Sequence, residues 1–120
     1  MATAQLLSLT GVSKVFPGVK ALDNVQFDLN EGEVHAIVGE NGAGKSTIAG
    51  LILKFYHPQN GEILFDGKAA NEYALTDIRN QVAIVPQDVI LFGGTIKENI
   101  AYGKLTASDD EIMAAAKTAN

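Results

Sequence analysis

The chain has 120 residues, enough for one modest domain, and 47% of them are hydrophobic. Its net charge of −5 gives no general attraction for nucleic acid or anionic lipid, so a polyanion can bind only at a local site. There is no cysteine, which excludes disulfides and thiolate metal sites, and two histidines form no metal cluster.

The N-terminal residues lack the basic and long apolar regions of a secretory signal. No window approaches the roughly 18 apolar residues that a membrane span requires. These features predict a soluble, cytoplasmic chain.

The first half of the chain shows two kinds of strand pattern. Alternating apolar and polar residues predict half-buried strands at 5–16 and 25–29. The segment "VHAIV" at 34–38 is apolar almost throughout, which predicts a strand covered on both faces. After a glycine-rich loop, "KSTIAGLILKFY" predicts a helix buried nearly all round that ends before Pro58.

The next segment begins as a hairpin. Asn60-Gly61 and Asp66-Gly67 flank a short predicted strand at 62–65, which suits an antiparallel sheet. Asp66 is expected to be a turn residue, although "EILFD" imitates the strand and carboxylate of many magnesium sites.

Alternating helix and strand signals follow. Thr76 is predicted to cap a helix at 77–81, and "VAIV" at 82–85 is predicted to be a second buried strand. Capping-box spacing at Thr95 with Glu98, and at Ser108 with Glu111, predicts helices at 96–101 and 109–119. The acidic run "SDDE" is therefore explained by a helix start. The predicted fold class is mixed α/β.

The stretch "GENGAGKST" fits the pattern GxxxxGK followed by Ser or Thr, which is typical of a phosphate-binding P-loop (Walker A). Glycines let backbone N–H groups converge on phosphate oxygens, and the helix that follows adds its positive dipole end. Lys45 supplies a mobile charge for the β and γ phosphates, and the Ser46 hydroxyl is sized for Mg²⁺. The alternative is a glycine-rich connecting turn. The candidate phosphate-binding residues are Gly39, Glu40, Asn41, Gly42, Ala43, Gly44, Lys45, Ser46 and Thr47.

Three separated segments carry a family resemblance: "VSKVFPGVKALDNVQFDLNEGEVHAIVGENGAGKST", "GEILFDGK" and "IRNQVAIVPQDVILFGGTIKENIAYG". Together they resemble the N-terminal half of the nucleotide-binding domain of ABC transporters, over nearly the whole chain. The resemblance implies one truncated domain at 1–120, with an antiparallel β-subdomain and a partial P-loop core that contains parallel strands. It also implies binding of ATP with Mg²⁺, and docking on transmembrane domains near the Q-loop.

The resemblance assigns further site residues. Phe16 matches the aromatic that stacks on adenine, against the alternative of a core phenylalanine. Gln87 matches the Q-loop glutamine that reaches Mg²⁺, against the alternative of an ordinary loop residue. Thr47 matches the second hydroxyl of the motif and would bond the α-phosphate. His35 and His57 do not match the family's catalytic histidine and are expected to be structural.

Other family elements do not occur in this sequence: an LSGGQ-type signature, the Walker B strand with its carboxylates, and the switch histidine. We therefore expect ATP binding with little or no hydrolysis. One alternative is a folding or interaction fragment without nucleotide. Another is a composite site with weak ATPase activity, built by self-association.

Two further expectations come from the resemblance. Residues 1–54 resemble sugar-importer ATPases, whereas residues 61–120 resemble exporters. This suggests a reconstructed or chimeric origin, against the alternative of an incompletely represented natural protein. In the family, strands from the other half of the domain separate the two buried strands. Here the strands at 34–38 and 82–85 would expose apolar edges unless they pair directly with each other, and we predict instead that two copies associate into a dimer or higher oligomer.

Overall fold

The computed structural model describes residues 4–86 and 88–119. The chain divides into two compact units, Met1–Ile84 and Val85–Asn120. The assignment of residues 1–120 to one domain remains a prediction.

A four-stranded antiparallel sheet forms most of the first unit. The strand order is β2-β1-β3-β4, so β1 lies between β2 and β3. Strand patterns at 5–16 and 62–65 are confirmed, and β2 is longer than the predicted 25–29. The strands are β1 (Gln5–Phe16), β2 (Val19–Asn30), β3 (Asn60–Phe65) and β4 (Lys68–Ala69).

A two-residue turn joins β3 to β4. Phe65 pairs with Lys68, and the two residues between them, Asp66 and Gly67, have φ angles of 48° and 73°. Positive φ at both central positions is the geometry of the tightest hairpin turns, which Asp-Gly favours. The expectation that Asp66 is a turn residue is confirmed.

The core of the first unit lies between the sheet and helix α1 (Lys45–Ile52). Leu9 is only 1% exposed and Val12 is fully buried, so β1 contributes the best-covered side chains of the sheet. Ile48 and Leu51 bring the buried face of α1 against them. The remaining members of this core cluster are Leu7, Leu22 and Ile63.

Helix α1 is shorter than the sequence predicts. Its last residue is Ile52, and Lys54 has a positive φ of 55°, which ends the helical path. The Phe55 N–H then donates to the Gly50 carbonyl at 2.8 Å, closing the helix end with a wider turn. The predicted continuation through "KFY" is therefore wrong.

Two short elements complete the regular structure of the first unit. A 3₁₀ turn spans Ala70–Glu72, and helix α2 spans Leu75–Gln81. Ala74, not Thr76, is the N-cap of α2, so the predicted cap is wrong. The helix begins at Leu75, which places Thr76 inside its first turn.

The two predicted buried strands do not form. Residues 34–38 and 82–85 have no regular secondary structure, and Val34, Val38 and Val85 are 96%, 90% and 95% exposed. A strand requires a neighbour for its backbone N–H and C=O groups, and within 4–86 and 88–119 neither segment has one. The expected parallel strands are therefore absent from the described part of the chain.

The second unit contains two capped helices, α3 (Ile96–Ala101) and α4 (Asp109–Ala119). The Glu98 N–H donates to Thr95 Oγ1 at 3.2 Å, and the Thr95 N–H donates to Glu98 Oε2 at 2.7 Å. The same reciprocal pair joins Ser108 and Glu111. Both predicted capping boxes are confirmed. Within 4–86 and 88–119 no helix is long and apolar enough to cross a membrane.

Candidate phosphate-binding site

The candidate phosphate-binding segment at 39–47 consists of a glycine-rich loop, residues 39–44, and the first three residues of helix α1. Gly42 and Gly44 have φ angles of +88° and +86°, a left-handed conformation that glycine adopts without a side-chain penalty. Gly44 is the N-cap residue of α1, and the Ala43 N–H donates to the Glu40 carbonyl at 3.1 Å. The loop thus turns twice through left-handed backbone before the helix begins.

The first turn of α1 is open to an anion. The Ile48 N–H donates to the Gly44 carbonyl at 3.0 Å, which is the helix's first internal hydrogen bond. Among the described residues no side chain caps this end, and the first turn carries no acidic residue. Unpaired N–H groups and the positive dipole end of a helix together favour a negatively charged ligand.

Gly44 also makes a close packing contact. A Cβ atom at this position would lie 2.7 Å from Leu22 Cδ2 and 2.8 Å from the Ala21 carbonyl oxygen. The start of α1 is therefore seated against β2. The sequence pattern missed this contact because the predicted strand began only at residue 25.

The Lys45 side chain folds back over the loop. Its Nζ donates to the carbonyl of Glu40 at 2.9 Å and also to the carbonyl of Gly39. An ionised phosphate oxygen is a stronger acceptor than a neutral carbonyl. The ammonium group is thus already at the loop, on acceptors that a phosphate can replace.

The other loop side chains differ in exposure. Glu40, Asn41 and Ser46 are exposed, and Thr47 is half-buried. In the described ranges no group of three or more His, Cys, Asp or Glu side chains could hold a metal ion. Because Mg²⁺ usually keeps waters and takes phosphate oxygens together with one or two protein ligands, the Ser46 hydroxyl fits an ion brought in by a nucleotide. Gln87, the other predicted Mg²⁺ contact, lies outside the described residues.

Phe16 ends strand β1 and is half-buried rather than part of the core cluster. Its ring forms an edge-to-face pair with that of Tyr56, with centroids 5.3 Å apart and planes at 87°. Sequence reasoning missed Tyr56; the available signal was an aromatic residue shortly after the P-loop helix. A nucleotide base stays the predicted partner of Phe16.

Both histidines have ordinary structural contacts. His35 Nε2 lies 3.2 Å from Glu33 Oε2, and its ring packs edge-on against Phe27 at 5.5 Å. A hydrogen bond from the Asn30 backbone N–H lowers the pKa of Glu33, with His35 a smaller cause. The His57 carbonyl accepts a hydrogen bond from Lys14. These contacts agree with structural roles for both histidines.

Comparisons with known proteins place the P-loop segment 39–47 within a region similar to ABC transporters. A family model described as ABC transporter matches residues 22–120. The chain is 45% identical over 105 residues to the ATP-dependent lipid A-core flippase of Alcanivorax borkumensis, covering 87% of this chain and 18% of that protein. It is 48% identical over 104 residues to the mitochondrial ATP-dependent permease MDL1 of Schizosaccharomyces pombe, covering 87% of this chain and 14% of that protein.

A solved structure is similar over almost the entire chain. It is a bacterial Atm1-family ABC exporter with ATP bound, with a TM-score of 0.88, 40% identity and coverage of 99% of this chain and 21% of that one. The match confirms the mixed α/β class with an antiparallel sheet. The chain thus spans under a quarter of the length of these relatives. A reconstructed or chimeric origin remains a hypothesis.

Proposed function

The chain belongs to the ABC transporter family, whose model matches residues 22–120, and we propose that it binds Mg-ATP at the loop 39–47 as the N-terminal half of an ATP-binding domain. ATP-binding domains of this family lie at the cytoplasmic face of the membrane, peripheral to it, and this chain shares that location.

The backbone conformation of Gly44, the N-cap residue of α1, is the main support for this proposal. Left-handed backbone at this residue turns the loop into α1, and the helix begins without a side-chain cap among the described residues. The first-turn N–H groups are then available to phosphate oxygens, which is how P-loops hold nucleotides. Local geometry of this kind lets a chain of net charge −5 hold a polyanion.

Three side chains of the segment 39–47 and two side chains outside it have proposed roles. Lys45 exchanges its two carbonyl acceptors for oxygens of the β and γ phosphates. Ser46 supplies one oxygen to Mg²⁺, and Thr47 bonds the α-phosphate. Phe16 stacks on the adenine. Gln87, in the Q-loop, reaches Mg²⁺. Mg²⁺ when bound neutralises phosphate charge, and the protein groups orient the nucleotide around it.

The proposed activity is binding with little or no hydrolysis. This sequence contains no residue that matches the family's catalytic glutamate, switch histidine or signature motif. Phosphoryl transfer requires a positioned water and electrostatic stabilisation of the leaving charge, which those groups supply. Docking on transmembrane domains near the Q-loop remains part of the proposal.

We also propose that two or more copies associate. Val34 and Val38 are almost fully exposed, and residues 34–38 have no strand partner in the described ranges. The first unit also contains an apolar cleft of about 870 Å³, whose lining includes Phe27, Leu29 and Ile37. A second copy can cover this apolar surface and supply backbone partners. Phosphate release that Lys45→Ala abolishes would indicate that such association builds a weakly active composite site.

Calorimetric titration with Mg-ATP tests the binding proposal. Hydrogen bonds to charged groups are worth about 1.5–3 kcal/mol, so Lys45→Ala should weaken binding about 10- to 150-fold. Lys117→Ala removes the same charge from α4 and should leave the affinity unchanged. Equal affinities for wild type and Lys45→Ala, or no heat of binding to the wild type, would refute the proposal.

A further inference from the structure

Three side chains meet where the end of β1 approaches the chain that leaves α1. Lys14 Nζ lies 5.2 Å from the centroid of the Phe16 ring and 5.6 Å from that of Tyr56. The two rings form an edge-to-face pair with centroids 5.3 Å apart. Lys14 Nζ also donates to the His57 carbonyl at 2.8 Å. The ring of Phe16 is thus held by named contacts on more than one side.

Tyr56 is seated on the helix that begins at the P-loop. A Cβ atom at Gly50, a buried residue of α1, would lie 2.5 Å from Tyr56 Cζ. The tyrosine ring therefore rests directly on the helix backbone, in space that only a glycine at position 50 leaves open. Helix α1 also carries Lys45 and Ser46 in its first turn.

Gln59 fixes the same chain segment to strand β1. Its side-chain amide accepts from the Val15 N–H at 3.0 Å and donates to the Val15 carbonyl at 2.8 Å. The Gln59 N–H donates to the Ser13 carbonyl at 3.0 Å. These bonds hold residues 56–59 beside the strand end, immediately before Phe16.

We infer that Tyr56 is a positioning residue for the nucleotide base, because its contacts with Phe16 and Gly50 tie the base-stacking ring to the helix that holds the phosphates. The inference rests on the proposed function, in which Phe16 stacks on adenine. Edge-to-face aromatic pairs have a defined geometry, so the Tyr56 ring restricts the orientations of Phe16. A ring held in its binding orientation loses less conformational freedom when a base stacks on it.

Two ligands separate base binding from phosphate binding. Mg-ATP probes both subsites, whereas inorganic tripolyphosphate with Mg²⁺ probes only the P-loop. Tyr56→Leu should weaken Mg-ATP binding about 2- to 10-fold and leave tripolyphosphate binding unchanged. Tyr56→Phe keeps the ring and should bind both ligands like the wild type. The double variant of Phe16→Ala with Tyr56→Leu should bind Mg-ATP no more weakly than Phe16→Ala alone.

Different results overturn different claims. If Phe16→Ala weakens Mg-ATP binding but Tyr56→Leu does not, the role of Tyr56 is refuted and the stacking proposal stands. If Tyr56→Leu loses affinity for both ligands equally, Tyr56 has a structural role only, and the inference is also refuted. If Phe16→Ala leaves Mg-ATP affinity unchanged, the stacking proposal is refuted, and the positioning role of Tyr56, which rests on it, is refuted with it. Circular dichroism checks folding, and Tyr56→Met replaces Tyr56→Leu in the same comparison if the latter does not fold.

Discussion

A side chain at Gly44 would collide with Leu22, since its Cβ atom would lie 2.7 Å from Leu22 Cδ2. This contact joins Gly44, the residue just before helix α1, to the beginning of strand β2, and Leu22 belongs to the buried core. The position of the loop is therefore fixed by core packing as well as by its own backbone conformation.

Gly44→Ala should destabilise the protein more than Gly42→Ala. Both positions have φ near +87°, so each alanine bears about 1–2 kcal/mol of left-handed strain. Only the alanine at 44 meets Leu22 and the Ala21 carbonyl, whereas position 42 has open space. Overpacking should add about 1–3 kcal/mol. Urea unfolding followed by circular dichroism measures the difference, and equal losses for the two variants would disprove the contact.

Leu9→Ala should cost about 2–5 kcal/mol of unfolding free energy, because it opens a cavity in the best-packed part of the core. Leu9 is 1% exposed and lies in β1, one of the two inner strands of the sheet. Leu105→Ala makes the same chemical change at a residue that is 82% exposed, and should cost less than about 0.5 kcal/mol. Thermal unfolding compares the two. Similar losses would show that the described core does not dominate stability.

Lys104 controls the ionisation of Glu111. A hydrogen bond from Lys104, at 2.6 Å, lowers the pKa of Glu111 from 4.5 to about 2, and the Ser108 N–H contributes as the second cause. Because the folded pKa is the lower one, this stabilisation is present above pH 4.5 and is lost as the pH falls towards 2.

NMR titration of the Glu111 carboxyl carbon tests this relation. Lys104→Ala should raise the pKa of Glu111 towards its ordinary value, whereas Lys117→Ala, which removes a lysine from the last turn of α4, should not. A Glu111 pKa that stays near 2 in Lys104→Ala would show that the ion pair is not the main cause.

Association of the chain should depend on its exposed apolar segment at 34–38. We expect a mass above 12.7 kDa in sedimentation velocity at concentrations on the order of tens of micromolar. Val34→Lys places a charge at a residue that is 96% exposed and should shift the distribution towards monomer. Leu105→Lys is the control in the second unit. A wild type that remains at 12.7 kDa throughout would exclude association.

Local signals predicted the parts of this chain whose partners are close in sequence. The capping box of Thr95 and Glu98 needs only residues three apart, and it is formed as expected. Strand β1 followed from alternation because it buries one face against helix α1, and β3 followed from the turn residues on either side of it. The turn at Asp66-Gly67 likewise depends on two adjacent residues.

Features that depend on distant partners were not predictable in the same way. An apolar run such as 34–38 signals burial, but forming a strand requires a neighbouring strand that this pattern does not reveal. In the candidate site, the motif indicated Lys45 and Ser46 by spacing alone. The contacts of Gly44 with Leu22, and of Tyr56 with Phe16, join residues that are far apart in sequence. They could be identified only from the three-dimensional structure.

Residue-resolved NMR during a Mg-ATP titration can establish whether ATP binds at the loop 39–47. Backbone amide signals of the loop and of the first turn of α1 should shift and saturate with one affinity, while those of α4 (Asp109–Ala119) remain in place. The same shifts should weaken in Lys45→Ala. Loop signals that do not move while other amides respond, or no response at saturating nucleotide, would show that ATP does not bind at this loop.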